Sequence, residues 1–171
     1  MTSFRDNLFE GKTAFVAGGT SGINLGIAKR FAGLGAKVAV AGRDPDKAQR
    51  AAAEIGHDAI GLSADVRDYA AIRGAMETVA DKLGAMDFVI SGAAGNFLAP
   101  VLGMSANAFR TVVDIDLNGT FNVFRGCHDL LNRTGASLIA ITAGQAVNAS
   151  ALQEHACAAK AGINQLIRVL A

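Results

Sequence analysis

The chain has no tryptophan, a single tyrosine, two prolines and two cysteines in 171 residues. The cysteines, Cys127 and Cys157, lie far apart and form no CxxC pair. A disulfide framework is therefore excluded, both cysteines read as structural, and a reduced, cytosol-like compartment is the expectation. No apolar run approaches the roughly 18 residues of a membrane span. Met1-Thr-Ser-Phe-Arg-Asp has no apolar stretch behind its positive charge, so no secretory signal is read there. Sixteen basic residues balance fifteen acidic ones with no block of either sign, so neither a nucleic acid nor an anionic membrane is advertised as a partner. The histidines His57, His128 and His155 lack metal-ligand spacing. What is abundant is glycine, at 20 residues, and apolar side chains, at 51% against 18% charged, with mean hydropathy +0.31. That balance excludes disorder, and the length suits one domain with a real core.

Short apolar runs alternate with longer helical patterns. Thr13–Ala17, Lys37–Ala41, Ala59–Leu62, Phe88–Ser91 and Ser137–Thr142 have strand length and little polar alternation, as when both faces of a sheet are covered. Between them, Ile23, Ile27, Phe31 and Leu34 repeat at helical spacing toward a stop at Gly35. Asp44 and Pro45 can start a second helix, and a third runs from about Asp68 to Leu83. A long fourth helix is expected from about Ser105 to Leu131, with Phe109, Val113, Leu117, Phe121 and Phe124 on one face. The last begins near Ser150 and is still running at Ala171, so a cut chain or part of a longer protein is expected. Right-handed crossovers turn this β/α alternation into an α/β fold with a doubly wound parallel sheet, a single Rossmann-type domain over residues 1–171.

The strongest local signal is Phe15-Val-Ala-Gly-Gly-Thr-Ser-Gly-Ile-Asn-Leu-Gly26, which leaves the first strand and opens the first helix. Gly18 permits the tight turn, and Gly22 lets backbone N–H groups approach a pyrophosphate at the helix N-terminus. Asn24 replaces the usual third glycine, and Gly26 follows two residues on. Thr20, Ser21 and Ile23 complete the turn. At the end of the second strand, where a carboxylate would select NAD, stand Gly42 and Arg43. A guanidinium there suits a 2′-phosphate, with Thr20 and Ser21 as hydroxyl donors, so NADP(H) is the expected cofactor. Asp44 could instead reach a ribose or only cap its helix. Asp65 and Val66, beyond the third strand, are placed to meet an adenine.

With these residues in view the whole chain resembles the short-chain dehydrogenase/reductase superfamily. Gly92-Ala93-Ala94-Gly95 stands where that family has Asn-Asn-Ala-Gly, placing Ala94 and Gly95 at the cofactor, and Lys160 stands at its catalytic lysine. Members generally continue through two more strands and a substrate loop, so the resemblance implies that the chain is truncated after the helix following the fifth strand. The family's tyrosine, four residues before the lysine, is Ala156 here; its serine is Ala143, preceded by Thr142; its helix asparagine is Asp116. The only tyrosine, Tyr69, is not expected to reach. His155, five residues before Lys160 and about 140° round the helix, reads as a partly buried or interface residue. Gln153 falls about 20° off the lysine's face and can line the pocket. Asp114 and Asp116 lie about 200° apart on a helix, so they cannot face the same way.

Ala93-Ala-Gly-Asn-Phe-Leu98, Asp114-Ile-Asp116, Gly119-Thr-Phe-Asn122 and His155-Ala…Ala-Lys160 look like the 2,4-dienoyl-CoA reductases, closest to the peroxisomal type. That resemblance implies NADPH-dependent reduction of a 2,4-dienoyl-CoA thioester to a 3-enoyl-CoA. Lys160 would hold the nicotinamide ribose. Asp116 would orient a proton-delivering water or donate directly, and Asn96, Phe97 and Gln153 would border the acyl substrate. A homo-oligomer, dimer or tetramer, is implied through the long helix and the lysine helix. A cytoplasmic location is expected, with a peroxisomal one left open. Another oxidoreductase of the same fold, acting on a carbonyl or alcohol, and a non-catalytic NADP-binding protein or fragment stand as alternatives.

Overall fold

A computed structural model describes residues 4–171. Residues 1–3, on which the reading of the N-terminus partly rests, lie outside the described residues. Five strands form one parallel sheet in the order β3-β2-β1-β4-β5: β1 (Thr13–Ala17), β2 (Lys37–Gly42), β3 (Ile60–Ser63), β4 (Phe88–Ser91) and β5 (Ser137–Ala140). Helices α1 (Gly22–Ala32), α2 (Pro45–Ile55), α3 (Tyr69–Leu83), α4 (Ala106–Val113), α5 (Gly119–Cys127) and α6 (Glu154–Leu170) complete it.

The sheet sorts its side chains by the period of two. Phe15, Ala39, Ala41 and Val89 point to a core shared with Ile72, Met76 and Val79 of α3 and Val123 and Phe124 of α5. Ala14, Val16, Val38, Val40 and Ile90 point the other way, to Ala28 and Ala32 of α1 and Ala51 and Ile55 of α2. Each fully buried Phe, Ile or Met contributes about 2–3 kcal/mol. Alanine-rich helix faces bring backbone close to backbone: a Cβ on Gly61 of β3 would fall 2.2 Å from the Ala48 carbonyl oxygen. Asp44 caps α2 as expected, accepting from the Lys47 N–H, and Asp68 and Ser105, at the expected starts of the third and fourth helices, cap them by accepting from the N–H of Ala71 and Ala108.

Three expected elements differ. Helix α6 begins at Glu154 rather than near Ser150. β5 ends at Ala140 rather than Thr142. The long fourth helix is interrupted by a π-turn at Asp114–Asn118, between α4 and α5, and closes in a 3₁₀ turn at His128–Leu130. The residue gained in the π-turn rotates the remainder of the helix about its axis. The buried stripe is Val112, Asp116, Thr120, Val123, Phe124 and Cys127, whereas Phe109, ahead of the π-turn, and Phe121, after it, are 40% and 46% exposed. Among the described residues, no helix is long and apolar enough to cross a membrane.

Candidate active site

β1 ends against the glycine turn, and φ of +78° at Gly18 and +58° at Gly22 puts both in the left-handed region where only glycine is unstrained. Ser21 is the N-cap of α1, yet its side chain makes no cap bond; its Oγ accepts instead from Lys47 Nζ at 3.1 Å. The helix N-terminus is thus left to an outside acceptor, with its positive dipole end toward the cleft. The cleft is lined by Gly18, Thr20 and Ser21 of the turn, Gly42 and Arg43 after β2, Lys47 of α2, Asp65 and Val66 after β3, and Gly92, Ala93 and Ala94 after β4. Gly42 is needed here: a Cβ would meet the Thr20 methyl at 2.7 Å. Two cations, Arg43 and Lys47, stand at the β2 corner beside Asp44, whose carboxylate caps α2, and the residues present fit a dinucleotide.

Asp65 is held by Arg67, whose Nη2 donates to it at 2.6 Å. That hydrogen bond keeps the Asp65 carboxyl below the usual carboxylate range. The Val66 carbonyl accepts from Asn122 Nδ2 at 2.9 Å, which ties the β3 loop to α5.

The chemistry-bearing pair sits beyond β4. The π-turn faces Asp116 inward, at 1% exposure, while Asp114 stays near the surface and accepts from Asn118. Asp116 Oδ1 accepts from the Gly95 N–H at 2.7 Å, and its Oδ2 lies 3.1 Å from Lys160 Nζ. The second contact is an ion pair without hydrogen-bond alignment, so Oδ2 keeps acceptor capacity. Lys160 Nζ also donates to the Ile141 carbonyl at 3.3 Å, at the end of β5. Ser91 Oγ donates to Thr120 Oγ1, which donates to the Asp116 carbonyl at 2.7 Å and steadies the π-turn.

Of the expected cofactor residues, Gly18, Thr20, Ser21, Arg43, Asp65, Val66 and Ala94 line the cleft. Gly22 shapes the turn without lining it. Ile23 is 75% exposed, so only its backbone N–H faces the helix end. Gly95 gives its N–H to Asp116 rather than to the cleft. Gln153 lies just outside the helix that carries the lysine. It is the N-cap of α6, outside the helix on which the angular argument depended, and it accepts from Asn96 Nδ2 at 2.6 Å. His155 is wholly buried rather than partly so, stacked on Phe97 with centroids 4.3 Å apart. Tyr69 lies under Arg125 and lines a different cavity, with Phe121 and Leu138. Lys47 and Asn24 were missed; the available signal for Lys47 was its place one turn after Arg43, just inside the Asp44 cap.

A dinucleotide cleft on a parallel sheet, with a lysine after β5 beside an inward carboxylate, defines a class, and comparison agrees: the profile of the short chain dehydrogenase family matches residues 12–171. The chain belongs to the short-chain dehydrogenase family. Within it, the peroxisomal 2,4-dienoyl-CoA reductase of Saccharomyces cerevisiae is 39% identical over 176 residues, covering 99% of this chain and 60% of its own length. The peroxisomal 2,4-dienoyl-CoA reductase of Rattus norvegicus is 39% identical over 173 residues, covering 98% and 59%. A dehydrogenase/reductase from Sinorhizobium meliloti superposes with TM-score 0.91 at 31% identity, covering 97% of this chain and 68% of its own. The chain thus spans about three-fifths of the length of these curated relatives.

Proposed function

We propose that the protein is an NADPH-dependent oxidoreductase that reduces conjugated 2,4-dienoyl-CoA thioesters to 3-enoyl-CoA products. The observation that carries this reading is the buried Asp116–Lys160 pair, in a site where Ala156 and Ala143 supply no hydroxyl. The reduced nicotinamide would supply hydride to the far end of the conjugated system. Gly18, Gly22 and the open end of α1 would bind the pyrophosphate, while Arg43 and Lys47 would take the 2′-phosphate. Lys160 would hold the ribose hydroxyls and place its positive charge where the thioester oxygen becomes anionic. Asp116, with Oδ1 bound to a backbone N–H and Oδ2 still an acceptor, is built to orient a proton-bearing water toward carbon rather than to donate directly.

Asn96, Phe97 and Gln153 border the substrate at the C-terminal end of β4, where open α/β sheets bind ligands. Phe109 and Phe121, exposed on α4 and α5, support pairing with a second copy. The yeast and rat relatives are peroxisomal by name, which favours a peroxisomal site over the cytoplasmic one.

The test is dinucleotide oxidation with a 2,4-dienoyl-CoA, a 2-enoyl-CoA and a 3-ketoacyl-CoA, with NADH as control. Turnover of the dienoyl thioester with NADPH, lost in Asp116→Ala, is expected. Turnover of the ketoacyl substrate instead would show that another group replaces the missing phenol and would overturn the assignment.

A further inference from the structure

The glycine turn departs from its usual spacing at Asn24, and the departure has a structural partner. Asn24, in the first turn of α1, is 9% exposed. Its Nδ2 donates to the Gly92 carbonyl at 2.7 Å and to the Gly18 carbonyl at 3.3 Å. Two carbonyl acceptors settle the amide's orientation, because the reverse would aim its oxygen at two oxygens. The carboxamide also lies flat against Gly92: a Cβ there would fall 2.3 Å from Oδ1 and 2.4 Å from Nδ2. Behind it, a Cβ on Gly18 would fall 2.6 Å from the Ala93 nitrogen. One amide and two glycines interlock, and neither glycine has room for a side chain. Asn24 Oδ1 is buried with no partner, so the group is retained for its donor end despite an unsatisfied acceptor.

We infer that Asn24 is a positioning residue of the dinucleotide cleft. It bolts the phosphate-binding turn to the loop after β4, and so sets the separation between the Gly18–Ser21 wall and the Gly92–Ala94 wall. In the usual turn a third glycine lets helix and strand pack by bare contact; here a hydrogen-bonded clamp joins them, and Gly92 is glycine because the clamp occupies its side-chain space. What the cleft holds rests on the proposed cofactor; the clamp is a property of the chain itself.

The test is a double-mutant cycle in the whole chain: Asn24→Gly, Gly92→Asn, and both together, which moves the carboxamide to the other side of the same gap. Each variant is melted without ligand and titrated with NADPH. Asn24→Gly is expected to weaken NADPH binding about tenfold and to melt several degrees lower. Gly92→Asn should lose at least as much, and the double variant should regain most of both losses. Asn24→Asp, which turns oxygen toward both carbonyls, should fall below Asn24→Gly. If Gly92→Asn does not fold, the other three still decide.

Additive losses in the double variant would overturn the inference. So would an Asn24→Asp variant that matches Asn24→Gly, or an Asn24→Gly variant that melts lower yet binds NADPH as wild type does. A wild-type chain that binds no dinucleotide would overturn the cofactor assignment instead, and the melting cycle alone would then uphold or reject the clamp.

Discussion

β1 is buried at all five residues, while β5, at the sheet's edge, is exposed at three of its four. The contrast extends to what surrounds them. Around β1 and β2 the cleft is shaped by backbone: left-handed glycines, an open helix end, and small residues that leave no room for a Cβ. Beyond β4 and β5 stands a pair of side chains outside the cleft lining, Asp116 and Lys160, whose partners include amide and carbonyl groups of neighbouring loops. Beyond that pair, Leu98, Leu102, Val147 and Leu152 stand exposed. A site built from backbone is spread over many residues, each hard to change; a site built from two side chains concentrates its chemistry where one substitution reaches it.

The sharpest way to break that contrast is Asp116→Asn. It keeps an acceptor for the Gly95 N–H and should lower turnover about 10²–10⁴-fold, with NADPH affinity nearly unchanged; steady-state kinetics beside a binding titration would show it. A parallel loss of binding would mean that the two regions are not separable.

Lys160→Met comes next. It leaves the Asp116 carboxylate buried and uncompensated, at a cost of about 3–5 kcal/mol, so denaturant unfolding should show a destabilised chain as well as an inactive one.

Arg43→Ala probes the other region. It should weaken NADPH by about 1.5–3 kcal/mol, roughly 10–100-fold, and leave NADH binding unmoved. Equal losses for both dinucleotides would remove Arg43 from the 2′-phosphate.

The smallest effect is at the opposite end of the sheet, where Asp87 accepts from Lys12 Nζ at 2.9 Å, the Thr13 N–H at 2.9 Å and Asn132 Nδ2 at 2.8 Å. Burial alone would raise its pKa, but these three donors outweigh it and hold the carboxyl below its ordinary 3.8. A depressed folded value means stability that is present above the unfolded pKa and lost as pH falls through the folded one. Melting temperature should therefore drop below about pH 4, and Asp87→Asn, costing about 1–2 kcal/mol at neutral pH, should flatten that drop.

Local signals in the chain foretell much of this and miss the rest for identifiable reasons. Strand runs, the cap at Asp44, the helix starts near Asp68 and Ser105, and the glycine turn depend on residues adjacent in sequence, and the structure places them within a residue or two of expectation. The fourth helix is broken by a π-turn that no regular period anticipates, and Phe109, ahead of that turn, already faces outward. Gln153 meets Asn96, but from the N-cap of α6 rather than from within the helix on which its angle was reckoned. Asn24 looks like a defect in a motif until Gly92, from a distant strand end, comes to lie beneath it.

Sequence by itself determined the doubly wound sheet, the glycine turn and the absence of a phenol beside Lys160, because these depend on residue type, period and short spacing. Only the tertiary structure decided that Asp116 rather than Asp114 faces inward, that it meets Lys160 and the Gly95 amide, and that Asn24 clamps Gly92. The contacts of Asp116 with Lys160 and of Asn24 with Gly92 join elements separated by whole β/α units, and their geometry exists only once the sheet has brought the strand ends together.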